Sequence, residues 1–152
     1  DLAILGGKLF NKNIENFLTG NFILQPQNEK LATYTKKTKK EDGLLSVSDS
    51  YIIWDRKIRA LNPWPGTWIE ILAKDQLKKL KIFKIEKINE KNSTIGVAKL
   101  KIGEFFRERN ELGLKISDAC ILIKELQLQD RKKMSSKEFL NGYKIEDLKI
   151  KL

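Results

Sequence analysis

Three clusters of cations carry the chemistry that these residue types make available. Lys36-Lys37-Thr38-Lys39-Lys40 places four lysines within five residues, preceded by Lys30 and Tyr34. Such a run tracks a phosphate backbone electrostatically without reading bases. Arg131-Lys132-Lys133 follows Asp130 where an apolar run gives way to a capped helix. Its charges therefore stand at a loop tip beside helix N-terminal amides, a combination suited to phosphate. Arg59 precedes Asn62-Pro63-Trp64-Pro65-Gly66, and both a buried-side partner and an exposed phosphate contact are open to it. Each cluster has an ordinary alternative: a solvated linker, a solvated turn, a structural arginine.

Other chemistry is poorly provided for. The 152 residues include no histidine, which removes the commonest general base near neutral pH and most zinc and iron sites. Cys120 is alone, so one chain can form neither a disulfide framework nor a cysteine metal cluster. Glu104 and Glu108 form a carboxylate pair among arginines and lysines with no nucleophile beside them, and no catalytic or metal-binding residue is assigned. Lys plus Arg total 30 against 20 Asp plus Glu, a net charge of +10. Residues 1–28 carry Asp1, Lys8, Lys12 and Glu15, which cancel, so the excess lies after them. A polyanion is the first partner to consider, nucleic acid ahead of a membrane surface, because no basic amphipathic helix stands out. A lysine-rich surface that merely solubilises the chain is the alternative.

The elements that must position these clusters follow from periodicity. Length and a 41% hydrophobic content fit one folded domain, or a smaller domain with a tail. Leu2, Leu5, Leu9, Ile14, Phe17 and Leu18 predict one or two helical turns ending at Gly20. An extended connector follows, from Asn21 to Asp42. A second helix is expected over 49–61, capped by Ser48 or Asp49, with Ile52, Ile53 and Ile58 on its apolar side, and Pro63 and Pro65 end it. Trp64 is expected to plug one end of whatever follows. From Thr67 the period becomes two: strands are predicted at 68–72, at 79–88 with a bulge where parity slips at Phe83, at 98–102, at 112–116 and at 120–126. Five short strands with polar turns outline a small, partly closed antiparallel barrel. Ser135 and Glu138 have capping-box spacing for a last short helix seated by Phe139 and Leu140, and Ile145, Leu148, Ile150 and Leu152 form a closing strand or tail. The first residues lack an initiator Met and a charged leader, and the chain reads as cut from something longer.

In order and spacing, Gln25-Pro26-Gln27, Ala32-Thr33-Tyr34, Lys39 to Gly43, Lys57 to Trp68, Leu126-Gln127, Arg131 to Met134 and Glu138 to Gly142 resemble the C-terminal half of the methionyl-tRNA formyltransferase family. The resemblance extends from about residue 2 to residue 142. It departs at Leu44-Leu45-Ser46-Val47, at Ala119, and at Asp130, where the family has Gly and a left-handed turn is easier.

The resemblance implies a fold class that is mainly β with short helices, a small OB-like antiparallel barrel preceded by a helical and extended linker. It divides the chain into a helical stub from the end of a catalytic domain (1–20), a basic linker (21–47) and the barrel (48–152). It implies that Lys36, Lys37, Lys39, Lys40, Arg59, Arg131, Lys132 and Lys133 contact initiator methionyl-tRNA. The histidine-bearing chemistry and 10-formyltetrahydrofolate then belong to an N-terminal formyltransferase domain, leaving this chain without a cofactor and inactive alone. A monomer in the cytoplasm, without a membrane, is the matching expectation. A barrel that only supports its neighbour, and the barrel of a sugar-nucleotide formyltransferase, are the alternatives.

Overall fold

Leucines and phenylalanines at helical spacing draw the first residues into α1 (Leu2–Leu18), which ends with the Thr19 N–H on the Glu15 carbonyl at 3.0 Å and with Gly20 at φ +72°. The computed structural model describes residues 1–89, 96 and 99–151. The chain divides into two units, Asp1–Lys36 and Lys37–Leu152. In the first, α1 runs for 17 residues and buries none of them. It is longer than expected because Gly6 and Gly7 are tolerated inside it, at about 1 kcal/mol each relative to alanine. The Phe17 and Phe22 rings stack at 5.4 Å, and the rest is extended apart from a 3-10 turn at Glu29–Leu31.

The second unit contains α2 (Tyr51–Leu61), β1 (Thr67–Ala73), β2 (Gln76–Lys87), β3 (Phe105–Glu108), β4 (Glu111–Lys115), β5 (Cys120–Leu128), β6 (Met134–Ser135), α3 (Ser136–Leu140) and β7 (Leu148–Ile150). The strands form one antiparallel sheet in the order β3-β4-β5-β2-β1-β7, with β6 added to β5. It curls into a nearly closed barrel, as the period-two reading expects. At the seam, a Cβ placed on Gly103 would lie 3.8 Å from Ile150. Alternation puts Ile69, Ile71, Leu80, Ile82, Leu126 and Leu128 inside. The bulge at Phe83 is present and is matched in β5. Ile82 pairs with Leu126 and Lys84 with Glu125, then Ile85 with Ile123, so one extra residue in β2 is followed by one in β5 and register is restored. The α3 capping box forms as expected: Ser135 accepts from the Glu138 N–H, and the Glu138 carboxylate accepts from Ser135. Phe139 is buried beneath it.

Four expectations are corrected. Trp64 is 60% exposed, and it is Trp54, fully buried on α2, that fills the core there. Ile52 and Ile53 are exposed; the inward face of α2 is Trp54 and Ile58. The strand expected at 98–102 does not form over 99–102, while Ala98 lies outside the described residues. Pairing with β4 runs instead through Phe105–Glu108 and extends back to Gly103, whose φ of +85° turns the chain. Residues 43–47, read as the end of the linker, belong to the barrel, since Leu45 and Val47 are buried in its core and the Leu45 N–H reaches the Trp68 carbonyl at 2.9 Å.

That last segment depends on Gly43. A Cβ there would stand 2.1 Å from the Gly66 carbonyl oxygen and 3.4 Å from the Trp68 ring. Because backbone, unlike a flexible side-chain tip, cannot give way, Gly43→Ala is expected to lift residues 39–45 off β1. Limited trypsin digestion should then cut after Lys39 or Lys40 several-fold faster than in the parent chain, since cleavage follows the population of the opened segment.

Candidate nucleic-acid interface

The outer face of the barrel is set by what the inner face takes. With Ile69, Leu80, Ile82 and Leu126 pointing in, the pairings Trp68 with Lys81 and Lys81 with Gln127 make an outward row across β1, β2 and β5. Beside it runs Glu70, Lys79 and Gln129, tied by the Gln129 N–H to the Lys79 carbonyl at 2.9 Å. The Lys79 ammonium lies 4.0 Å from the centre of the Trp68 ring, which holds a long, mobile charge in place. Lys81 is exposed and enters no described ion pair.

Two of the three basic sequence clusters reach this face, from opposite edges. On the β1 side, Leu44 bridges to Trp68, and the preceding turn Lys40–Gly43 is closed by the Lys39 N–H on the Asp42 carboxylate at 2.7 Å. Lys37, Lys39 and Lys40 thus belong to a segment fastened to the barrel. On the β5 side the strand leads from Gln129 into Asp130 at φ +62°, a left-handed turn taken here by aspartate. The turn is held by the Gln127 side-chain amide donating to the Arg131 carbonyl at 2.7 Å. The two edges are about three strand spacings apart, roughly 14 Å.

Not every expected cation is free. Lys133 pairs with Glu125, whose carboxyl this hydrogen bond and charge hold below the usual range, and its ammonium lies 4.9 Å from the Phe83 ring. Arg59 is bound by Asp55 one turn away at 2.9 Å, and no described contact joins it to this face. Lys36 ends the first unit. Arg131 and Lys132 are exposed without a described carboxylate partner. Lys79, Lys81 and Trp68 are the residues sequence reasoning missed. Their alternation was legible as a strand, but membership of this face depends on the β2 to β5 pairing.

Three further carboxylates gather elsewhere. Glu86, Glu108 and Glu111 line a separate cleft with Lys124. Lys124 bonds Glu111 at 2.7 Å and Glu86 at 3.0 Å. Burial alone would lower its pKa, but the two carboxylates outweigh that and hold it above its ordinary value. With Glu70 of this face paired to Lys151 at 3.1 Å and Glu125 paired to Lys133, Lys79 and Lys81 leave the outward row of β1, β2 and β5 net positive, a geometry for phosphates spread along a strand. Among the described residues no helix is long and apolar enough to cross a membrane.

Residues 37–144 match the family described as Formyl transferase, C-terminal domain. Methionyl-tRNA formyltransferase of Caldicellulosiruptor saccharolyticus is 34% identical over 95% of this chain and 44% of that enzyme. The enzyme of the same name from Carboxydothermus hydrogenoformans is 36% identical over 94% of this chain and 44% of its own length. The chain therefore spans under half of the curated relatives it matches. Among solved structures, HypX from Aquifex aeolicus is similar with a TM-score of 0.55 at 21% identity, over 90% of this chain and 24% of that one, a likeness of fold alone.

Proposed function

The chain belongs to the formyl transferase C-terminal domain family, and from that premise we propose that it is the tRNA-holding part of a methionyl-tRNA formyltransferase. The observation that carries this reading is the cationic outer face of the barrel, where Lys79 lies on Trp68 and Lys81 stands beside it, between the Lys37 to Lys40 segment and the Arg131 turn. Its similarity to methionyl-tRNA formyltransferases supports the same reading. The whole protein then transfers a formyl group from 10-formyltetrahydrofolate to initiator methionyl-tRNA, as a cytoplasmic monomer. Folate binding and acid–base chemistry fall to residues outside this chain. The barrel contributes phosphate contacts that give affinity and register with little base reading. OB-like barrels commonly use an outer sheet face this way.

Filter retention of initiator tRNA against bulk tRNA tests this. Lys37→Glu, Lys39→Glu and Lys40→Glu together, or Lys79→Glu with Lys81→Glu, are each expected to weaken retention of both RNAs at least tenfold, since each reversal removes one phosphate contact and adds a repulsion. Retention unchanged by both sets would instead favour a barrel that only supports its neighbouring domain.

A further inference from the structure

A second cleft, of about 330 Å³, opens beside the Arg131 turn. Its floor is Leu128, Met134 and Phe139, and Tyr143 walls it, stacked on Phe139 at 4.8 Å between ring centres and 10° between planes. One face of the Tyr143 ring is thus used. Over the ring stands the Lys74 ammonium, 5.0 Å from its centre. Lys74 is fixed there by the tight turn between β1 and β2, where Lys74 and Asp75 both take positive φ, 52° and 59°, and by its N–H on the Asp147 carbonyl at 3.0 Å. Arg131 lines the same cleft, and neither cation has a described carboxylate partner. The carboxylate in the lining, Glu138, is committed to Ser135, whose hydroxyl and N–H hold it below its usual pKa.

Two cations with no described ion pair, against one carboxylate held by Ser135, over an aromatic and thioether floor suit a ligand that is flat and apolar at one end and anionic at the other. We propose that this cleft binds a nucleotide, its base on Tyr143 and Met134 and its phosphate between Lys74 and Arg131. An incoming base displaces the Lys74 ammonium from the ring, and the charge moves onto the phosphate, so one favourable contact is exchanged for another. The proposal deepens the tRNA reading, and rests on it, only for the source of the nucleotide. An unpaired residue of an RNA strand and a free mononucleotide share this chemistry.

The full chain is titrated with AMP, adenosine and inorganic phosphate, following the Tyr143 ring resonances. AMP is expected to bind about tenfold more tightly than either fragment, because base stacking and phosphate pairing act together. Tyr143→Leu, which keeps apolar packing on Phe139, and Arg131→Gln, an exposed change that leaves the fold alone, are each expected to weaken AMP at least fivefold. A single-stranded pentanucleotide binding tenfold better than AMP assigns the strand, whereas equal affinity assigns the free nucleotide. AMP no tighter than phosphate, or unmoved by Arg131→Gln, overturns the cleft. If AMP binds as expected while tRNA is not retained, the tRNA reading has failed and the cleft has not. If tRNA is retained while AMP is indifferent to both substitutions, the reverse holds.

Discussion

Trp54→Ala should destabilise the barrel by about 3–5 kcal/mol, the usual cost of truncating a buried aromatic to alanine. Trp54 is fully buried, so its removal leaves a cavity that the surrounding strands cannot fill. It also does a second job, because its indole N–H donates to the Ser46 carbonyl at 2.7 Å. That bond joins α2 to the segment running from Gly43 into the barrel. The same segment is held by the Lys57 ammonium on the Leu44 carbonyl at 3.1 Å and by the Ser117 N–H on the Val47 carbonyl at 2.9 Å. Deleting the indole thus removes this tie between α2 and the segment, leaving the Ser46 carbonyl only the Asp49 N–H at 3.0 Å, as well as emptying space. Urea unfolding followed by circular dichroism would check it, with the midpoint falling and the slope little changed. Trp64→Ala is the internal control: at 60% exposure it should cost under about 1 kcal/mol. Equal effects at the two positions would contradict the assignment of Trp54 as the core residue.

What could be read in advance divides along a physical line. The α3 cap was legible because its determinants, Ser135 and Glu138, are three residues apart and satisfy each other locally. The bulge at Phe83 was legible because a change of parity is itself a local signal. The inward face of α2 was not, since Ile52 and Ile53 look more apolar than a tryptophan that needs a hydrogen-bond partner, and that partner, Ser46, lies outside the helix. Nor was β3. Phe105 packs into the main core while Phe106 packs into a second cluster with Ile88, Cys120 and Leu122, so both faces are buried and alternation vanishes. Charge behaved likewise. The lysine run and the Arg131 turn were evident as runs, but their union through Lys79 and Lys81 requires strand pairings about fifty residues apart in the chain, and nothing local encodes which lysines share a face.

Affinity for tRNA should fall steeply with salt, by roughly 300- to 2,000-fold between 50 and 200 mM, if about six of the cations on this face meet phosphates. The expected slope of log affinity against log salt is then about −4 to −5, at roughly 0.7 to 0.9 per contact for single-stranded and duplex nucleic acid respectively. Lys37, Lys39, Lys40, Lys79, Lys81, Arg131 and Lys132 supply enough charges without a described carboxylate partner. Each single change to alanine among them should make the slope shallower by somewhat under one, alike for initiator and bulk tRNA, because phosphate contacts carry no sequence. Arg59→Ala should leave the slope unchanged, since that guanidinium is already held by Asp55 at 2.9 Å and has no counterion to release. Lys133, paired with Glu125, stands apart from the free set for the same reason. Fluorescence titrations at four salt concentrations would measure these slopes. A slope near zero would mean that the outer face of β1, β2 and β5 is not where the strand lies, however positive it is, and a fall on Arg59→Ala would move the contact surface towards α2.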